Sequence, residues 1–417
     1  MRLNFFCESC RSVCQIPEDP IMMNPMADLF ASPGGSFRLS RFPSGGKSSL
    51  QAWDAADEYI LTEAFSGPGS PDPVLILNDQ WGGLTCPLTA RALAAAAGSG
   101  ESAWMSADLP ICHTDSFLSA RGIRENCREN RLPEPRFIEF GESFPPEART
   151  VCLKIPGQLD YFEDLLSRLC GDLPPGTPVI AGGLGRNLPP RFFQTFARYT
   201  REAESSLLRK RARIFRGRLD REDLPPAPEP AELTVPRLNL ALRDLPGVFS
   251  RGRLDPGTRL LLETLPGPFR PQRVGDPGCG GGILGLAAAR LWPEARITGT
   301  DDSARAVASA EENFRLNGLE GREELMWTHI LEGVPGGTLD LVLCNPPFHR
   351  GGAVSVETGL EFIRDCARAL APEGDLLLVA NRHLGYRNTM LRFFKEAEIV
   401  KENDKYRVYR CRGKKED

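Results

Sequence analysis

The chain has no apolar run approaching the roughly 18 residues needed to cross a membrane, so no membrane-spanning helix is expected. Its opening stretch, Met1 to Cys7, does not continue into a signal-peptide core, because Glu8, Ser9 and Arg11 interrupt it. A cytoplasmic protein with no membrane partner is expected. There is little charge excess: 51 Lys and Arg stand against 55 Asp and Glu, a net charge of −4. The surface as a whole therefore does not attract nucleic acid, and any such contact must come from local basic patches. The 12 cysteines are scattered rather than framed, which argues against a disulfide scaffold. Their one cluster, Cys7, Cys10 and Cys14, has no second pair or histidine nearby to complete a zinc site. No metal is expected, and residues 1–27 read as a poorly ordered extension.

Two short stretches carry chemistry. Val274-Gly275-Asp276-Pro277-Gly278-Cys279-Gly280-Gly281-Gly282 reads as a strand end running into a glycine-rich turn before a helix from Ile283 to Leu291. Glycine is needed where the backbone turns sharply and must approach a ligand. Alone, this pattern serves a nicotinamide, a flavin or S-adenosylmethionine equally well. The second stretch is a buried strand, Asp340-Leu341-Val342-Leu343-Cys344, ended by Asn345-Pro346-Pro347-Phe348. Two prolines forbid continuation of strand or helix, so the loop is stiff and its carbonyls point in fixed directions. In combination with the glycine turn, the Asn-Pro-Pro-Phe loop resembles motif IV of the amino-group methyltransferases of the class I S-adenosylmethionine-dependent fold.

The first half repeats the rhythm of the second without its chemistry. Strands are predicted at Pro73–Leu77, near Ala103–Met105, at Phe137–Phe140, Val151–Ile155 and Val179–Ala181. Helices are predicted between them, over 87–97, Phe117–Asn130 and Leu159–Leu169. Alternating β and α segments imply a parallel sheet covered on both faces. Trp81 sits where the turn should admit a cofactor, and Lys154-Ile155-Pro156 stands where Asn-Pro-Pro-Phe would be. We read two tandem Rossmann-like, doubly wound α/β domains, residues 28–218 and 237–417, the first degenerate.

Between them, Arg209, Lys210, Arg211, Arg213, Arg216 and Arg218 form a basic run with Phe215 interleaved. In an acidic chain this local density is the candidate RNA contact. Residues 219–236, rich in Pro and acids, read as a stiff linker. In the second half Asp255 or Thr258 is expected to cap a helix. Asp301 follows the second strand, 19 positions beyond Gly282, where a carboxylate can grip two ribose hydroxyls. Cys279 and Cys344 are read as packing residues.

With these residues in view, the chain resembles the RsmC/RlmG-type ribosomal RNA guanine-N2 methyltransferases. The motifs are Pro246-Gly247-Val248-Phe249-Ser250, Leu254-Asp255 with Gly257, Asp276 to Gly282, Cys344 to His349, and Val379-Ala380-Asn381-Arg382-His383-Leu384. Leu50 to Tyr59 and Leu75-Ile76-Leu77-Asn78-Asp79 look more like the large-subunit branch. Pro277, where leucine is usual, His329 and the cysteine-bearing extension depart from the pattern. The resemblance implies two homologous halves of which only the C-terminal one binds S-adenosylmethionine, and a monomer acting on ribosomal RNA or a ribosomal subunit. It places Asp276, Gly278, Gly280, Gly282, Asp301, His329 and Phe249 around the donor. It makes Asn345 and the Pro346 carbonyl acceptors for the two amine hydrogens, with Phe348 stacking on the base. An N6-adenine methyltransferase and a non-catalytic ribosome assembly factor remain the alternatives.

Overall fold

The computed structural model describes residues 28–42, 50–66, 73–97, 108–220, 222–347 and 353–415, with the backbone alone over 353–357. The cysteine-bearing extension, the strand expected near Ala103–Met105, and Phe348 lie outside the described residues.

The first half runs β1 (Asp28–Ser32), β2 (Gly35–Leu39), α1 (Ala55–Ser66), β3 (Val74–Leu77), α2 (Thr85–Ala97), β4 (Ile111–His113) and α3 (Phe117–Glu129). It continues through β5 (Arg136–Phe137), β6 (Thr150–Lys154), α4 (Leu159–Asp172), β7 (Pro178–Leu184), α5 (Pro190–Tyr199), β8 (Thr200–Ser205) and β9 (Ala212–Leu219). The second half runs β10 (Ala231–Val235), β11 (Leu240–Asp244), α6 (Pro256–Leu262), β12 (Arg273–Pro277), α7 (Ile283–Leu291), β13 (Arg296–Asp301) and α8 (Ala304–Leu316). Then come β14 (Glu323–Trp327), β15 (Leu339–Cys344), α9 (Ala353–Ala369), β16 (Leu370–Asn381), α10 (Arg387–Met390), β17 (Phe394–Glu402) and β18 (Tyr406–Lys414).

Among the described residues each half holds one seven-stranded sheet, in the orders β5-β4-β3-β6-β7-β9-β8 and β14-β13-β12-β15-β16-β18-β17. The orders are equivalent strand for strand. In both, the first five strands are parallel and the last two close the sheet antiparallel. Central strands such as Val74-Leu75-Ile76-Leu77 are buried on both faces because helices cover both. The helices present apolar residues at helical spacing, as in α4, which buries Tyr161, Phe162, Leu165, Leu166 and Leu169. Two apolar clusters flank each sheet.

Finer correspondences show how closely the halves repeat. Each opens with a hairpin, β1–β2 and β10–β11. Each hairpin is bolted to a helix by an asparagine: Asn126 accepts from Ser40 N at 2.9 Å, and Asn313 accepts from Arg243 N at 2.6 Å. Each asparagine then donates into its own βα turn, to Trp81 O at 2.8 Å and Gly281 O at 2.9 Å.

Three expectations change. The strand beside β3 is Ile111–His113, too short for its alternation to register in sequence. Residues 231–235, read as linker, are strand β10: Leu233 and Val235 pack on the second core, opposite Leu242 and Leu240 of β11. The prolines just upstream mask that period of two. The basic run is the β8–β9 hairpin rather than an unpaired cationic face. Lys210 Nζ lies 2.7 Å from Glu58, Arg216 is 3.5 Å from Glu63 and Arg218 is 3.4 Å from Glu202. The Arg209 guanidinium lies 5.7 Å from the Tyr59 ring centroid. Strand geometry carries these arginines past acids of α1 and β8 that are distant in sequence. No helix among the described residues is long and apolar enough to cross a membrane.

Candidate active site

The glycine turn leaves β12 with Gly278 at φ +73°, Gly280 at +54° and Gly282 at +82°, all in the left-handed region that favours glycine. Thr300 O holds it against β13 by accepting from Gly278 N at 2.8 Å and Cys279 N at 2.9 Å. A Cβ added at Gly280 would meet nothing within 4 Å, so the turn faces open space there. Asp276 and Gly282, read as donor contacts, do not line the cavity of about 1130 Å³ that Gly278 and Gly280 line; Asp276 lines a small one of about 60 Å³ beside the turn. Asp276 is buried and its Oδ2 accepts from Gly285 N at 2.8 Å, tying the turn to α7. Burial pushes its pKa up to about 7 despite that bond. Gly282 packs on Ala310, where a Cβ would come within 3.0 Å.

Gly278, Gly280, Asp301, His329, Phe249, Asn345 and Pro346 do converge, on one cavity of about 1130 Å³. Asp301 ends β13. Its Oδ2 accepts from Gly280 N and its Oδ1 from Ser303 N, both at 2.9 Å. Each oxygen keeps a second lone pair for a hydroxyl donor. Burial pushes Asp301 up to about 6, against those two N–H groups. His329 Nε2 lies 3.8 Å from Glu361 Oε2. Phe249 is 60% exposed and forms a wall.

Asn345, at the end of β15, is held by its amide nitrogen. Nδ2 donates to Asp255 Oδ2 at 3.0 Å and to Thr258 Oγ1 at 2.8 Å. An ionised carboxylate only accepts, so Asp255 decides which face of the carboxamide is which. The Oδ1 acceptor is left for a donor in the cavity. Asp255 also caps α6, accepting from Thr258 N at 2.9 Å. The sequence suggested the cap; the second bond, to Asn345 90 positions away, had no local signal. Tyr406, Asp302, Glu361 and Phe362 also line the cavity and were not anticipated as site residues. Cys344 is fully buried and burial raises its thiol pKa, as it does for Cys279; neither suits a nucleophile at neutral pH.

The second half's wall carries Asp301, Asp302, Asp255 and Glu361 and, among the described residues, no Lys or Arg. An acidic wall, two bound-out carboxylate oxygens and an open glycine turn fit a cationic nucleoside such as S-adenosylmethionine.

The first half's cleft joins the same cavity but has different contents. Asn78, at φ +59°, stands where Gly278 does and donates its N–H to His113 O at 2.9 Å, as Gly278 does to Thr300. Gly82 has the φ of Gly282, +82°. Between them Trp81 takes the place of Gly281, packed against Gly122. Thr114 takes the place of Asp301 after β4, and Lys154 that of Asn345, since Val151 pairs with Leu75 as Val342 pairs with Gly275. Lys154 is buried against Asp57 at 2.7 Å and Asp54 at 3.2 Å. Burial opposes its charge, but the two carboxylates outweigh burial and raise its pKa.

The chain is 35% identical to ribosomal RNA large subunit methyltransferase G of Shewanella sp. MR-4, over 91% of this chain and 98% of that protein. It belongs to the ribosomal RNA large subunit methyltransferase G family. The same-named protein of Photobacterium profundum is 34% identical over 90% of this chain and 96% of its own. The family's RLMG N-terminal domain model matches residues 27–221, and the methyltransferase small domain model matches residues 239–410. The large subunit methyltransferase G fold is shared with a solved Thermus thermophilus 16S rRNA N2 G1207 methyltransferase, RsmC, in complex with AdoMet and guanosine. That structure superposes with a TM-score of 0.74 at 22% identity, covering 93% of this chain and 98% of that one.

Proposed function

We propose that this chain, acting as a monomer, methylates the exocyclic N2 amine of a guanine in large-subunit ribosomal RNA with S-adenosylmethionine as donor. The observation that carries this reading is the Asn345 carboxamide, oriented by Asp255 and Thr258 at 3.0 and 2.8 Å beside the open glycine turn. The relatives are named for ribosomal RNA of the large subunit, and the structurally similar RsmC was captured with AdoMet and guanosine.

S-adenosylmethionine, when bound, supplies a methyl group already activated on a sulfonium. The chain supplies position and charge. Gly278 and Gly280 permit close backbone approach, Asp301 accepts from ribose hydroxyls, and Phe249 and His329 flank the nucleoside. A guanine amine is a poor nucleophile because its lone pair is delocalised into the ring. Asn345 Oδ1 accepts one amine hydrogen and the Pro346 carbonyl the other, which localises the pair on a tetrahedral nitrogen and stabilises developing positive charge. Phe348 stacks on the base and fixes the line of approach. The base must leave its stack to enter, so a flipped or single-stranded nucleotide is the substrate.

Labour divides between residues 28–218, which grip RNA, and 237–417, which carry chemistry. The tip of the β8–β9 hairpin supports this: Ala212, the first residue of β9, pairs with Leu184 at the end of β7, and Leu184 lines the cavity. Arg211 O accepts from Gly185 N at 2.8 Å, so the exposed Arg209, Lys210 and Arg211 lie beside the segment that holds the cavity-lining Leu184 and Asn187. Arg213, Arg216 and Arg218 follow along β9 and extend that cationic strand.

Mass spectrometry of nucleosides from large-subunit rRNA, with and without the gene, tests the proposal. One N2-methylguanosine should disappear with the gene and return with the wild type but not with Asn345→Ala. Loss of an N6-methyladenosine instead would transfer the reading to adenine.

A further inference from the structure

The two halves exchange helix caps. In each, a Asp-Ser pair leads from a strand into a helix: Asp115-Ser116 before α3 and Asp302-Ser303 before α8. Each serine caps its own helix, Ser116 Oγ accepting from Ser119 N at 3.1 Å and Ser303 Oγ from Ala306 N at 3.2 Å. Each aspartate caps the other half's helix. Asp302 accepts from Phe117 N through its carbonyl and from Leu118 N through Oδ1, both at 2.8 Å. Asp115 accepts from Ala304 N through its carbonyl and from Arg305 N through Oδ1, both at 2.9 Å. Ser116 and Ser303 themselves form an antiparallel bridge. Trp327 closes the junction, its indole N–H lying 3.1 Å from Asp115 O and 2.7 Å from Asp302 O.

The exchange is symmetric in bonds but not in consequence. On the second half it lands on the segment that follows Asp301. Ser303 N donates to Asp301 Oδ1, and Ser303 Oγ donates to Asp115 Oδ2 at 2.5 Å. One serine thus connects the two carboxylates. We propose that Asp115, contributed by the half that carries no chemistry, is a positioning residue of the donor site, holding Asp301 through Ser303. The three leading amides of α8 would otherwise have Ser303 alone as a side-chain partner. Asp115 is itself fixed in a buried junction, where Arg305 is paired with Asp164 at 2.7 Å and lies 4.3 Å from the Tyr161 ring centroid. The linkage is reciprocal: a donor that draws on Asp301 tightens the junction, and the junction pre-organises Asp301 for the donor. This rests on the proposal that Asp301 holds the donor, and it goes beyond it in making donor affinity a property of both halves.

The test uses the full chain without RNA. Calorimetric titration with S-adenosylmethionine should show on the order of tenfold weaker binding for Asp115→Ala, the loss expected for removing charge-assisted hydrogen bonds that orient a ligand group. In a separate methylation assay with RNA present, KM for RNA should be unchanged. Arg121→Ala removes the exposed junction ion pair to Glu332 and should leave donor affinity within twofold. A folded Asp115→Ala with wild-type donor affinity overturns the inference, even if its melting temperature falls. Should that variant not fold, hydrogen exchange on the wild type decides. Donor should slow exchange at Phe117, whose N–H bonds Asp302 O across the junction and which does not line the cavity, and an unchanged rate there overturns the inference. A wild type that binds no donor would instead sink the proposed function itself.

Discussion

The turns at Asn78–Gly82 and Gly278–Gly282 follow one path, with the same bond to the neighbouring strand and the same left-handed residue before the helix. One is open and the other is filled by Trp81. The difference shows how few positions separate a donor site from a scaffold. An acid is replaced by Thr114, a glycine by Trp81 and an amide by Lys154, the three places where the proposed ribose, backbone and acceptor contacts lie in the second half. The cores that hold the sheets are untouched. The first half puts Lys154 where the second has Asn345, and both donate to residues at a helix start: Lys154 to Asp54 and Asp57, Asn345 to Asp255 and Thr258.

The comparison breaks most visibly at the residue after the fourth strand. Asn345→Ala should lower methyl transfer by about 10²–10³-fold, the typical effect of losing one positioned acceptor in the transition state, with donor binding within a few-fold. Ile155→Ala, beside the matching Lys154, should change turnover little. Near-normal turnover of Asn345→Ala in single-turnover assays would remove the distinction between the halves.

Lys154→Ala should cost about 3 kcal/mol of stability at neutral pH, because it leaves buried carboxylates without their cation. Burial already raises Asp57 to about 6, and without Lys154 it should rise further. A folded-state pKa above the unfolded value means the folded form takes up a proton, so the variant's deficit should shrink as pH falls toward 5. Chemical denaturation at two pH values measures this; a deficit independent of pH would argue against Asp57 as the stranded group.

At the end of the second strand, Asp301→Ala should weaken donor binding by about 10–100-fold, whereas Thr114→Ala should leave it within twofold. Because burial holds Asp301 near 6, wild-type donor affinity should be flat above pH 7. It should fall by about tenfold per pH unit below the Asp301 pKa, as the carboxylate protonates and loses acceptor capacity. Calorimetry across pH 5–8 reads the profile, and one that persists unchanged in Asp301→Asn would assign the titration elsewhere.

The smallest effect concerns RNA grip. Arg209→Ser with Arg211→Ser should weaken RNA binding several-fold and flatten its salt slope by about two contacts, with no change in melting temperature. Lys210, Arg216 and Arg218 already pair with Glu58, Glu63 and Glu202, so changing them should lower stability as well. Equal RNA affinity in the double variant would return the hairpin to a purely structural role.

Much of this was legible in the chain. Buried strands announced themselves as apolar runs, and α7 fell at Ile283–Leu291 as expected, because a glycine turn before it and alternating β and α segments are local signals. The Asn345 loop was legible for the same reason: two prolines and an asparagine at a strand end need no partner to be recognised. Strand β10 was hidden by prolines upstream, and β4 by its three residues. The pairing of Lys210, Arg216 and Arg218 with Glu58, Glu63 and Glu202 was not legible, because charge counted along a chain says nothing about acids that a sheet brings alongside.

What the sequence determined by itself was the pair of α/β units, the glycine turn after β12 and the Asn345-Pro346-Pro347 loop after β15. Each depends on contacts within a few residues, where backbone geometry follows from residue type. What only the tertiary structure decided was which atoms those residues offer. Asn345 shows its oxygen to the cavity because Asp255 and Thr258 take its nitrogen. Asp276 turns inward because Gly285 N claims it. Asp301 is braced through Ser303 by Asp115 of the other half. Hydrogen-bond direction is set by whichever donor or acceptor lies nearest in space, and chain folding brings that neighbour from 90 or 188 positions away.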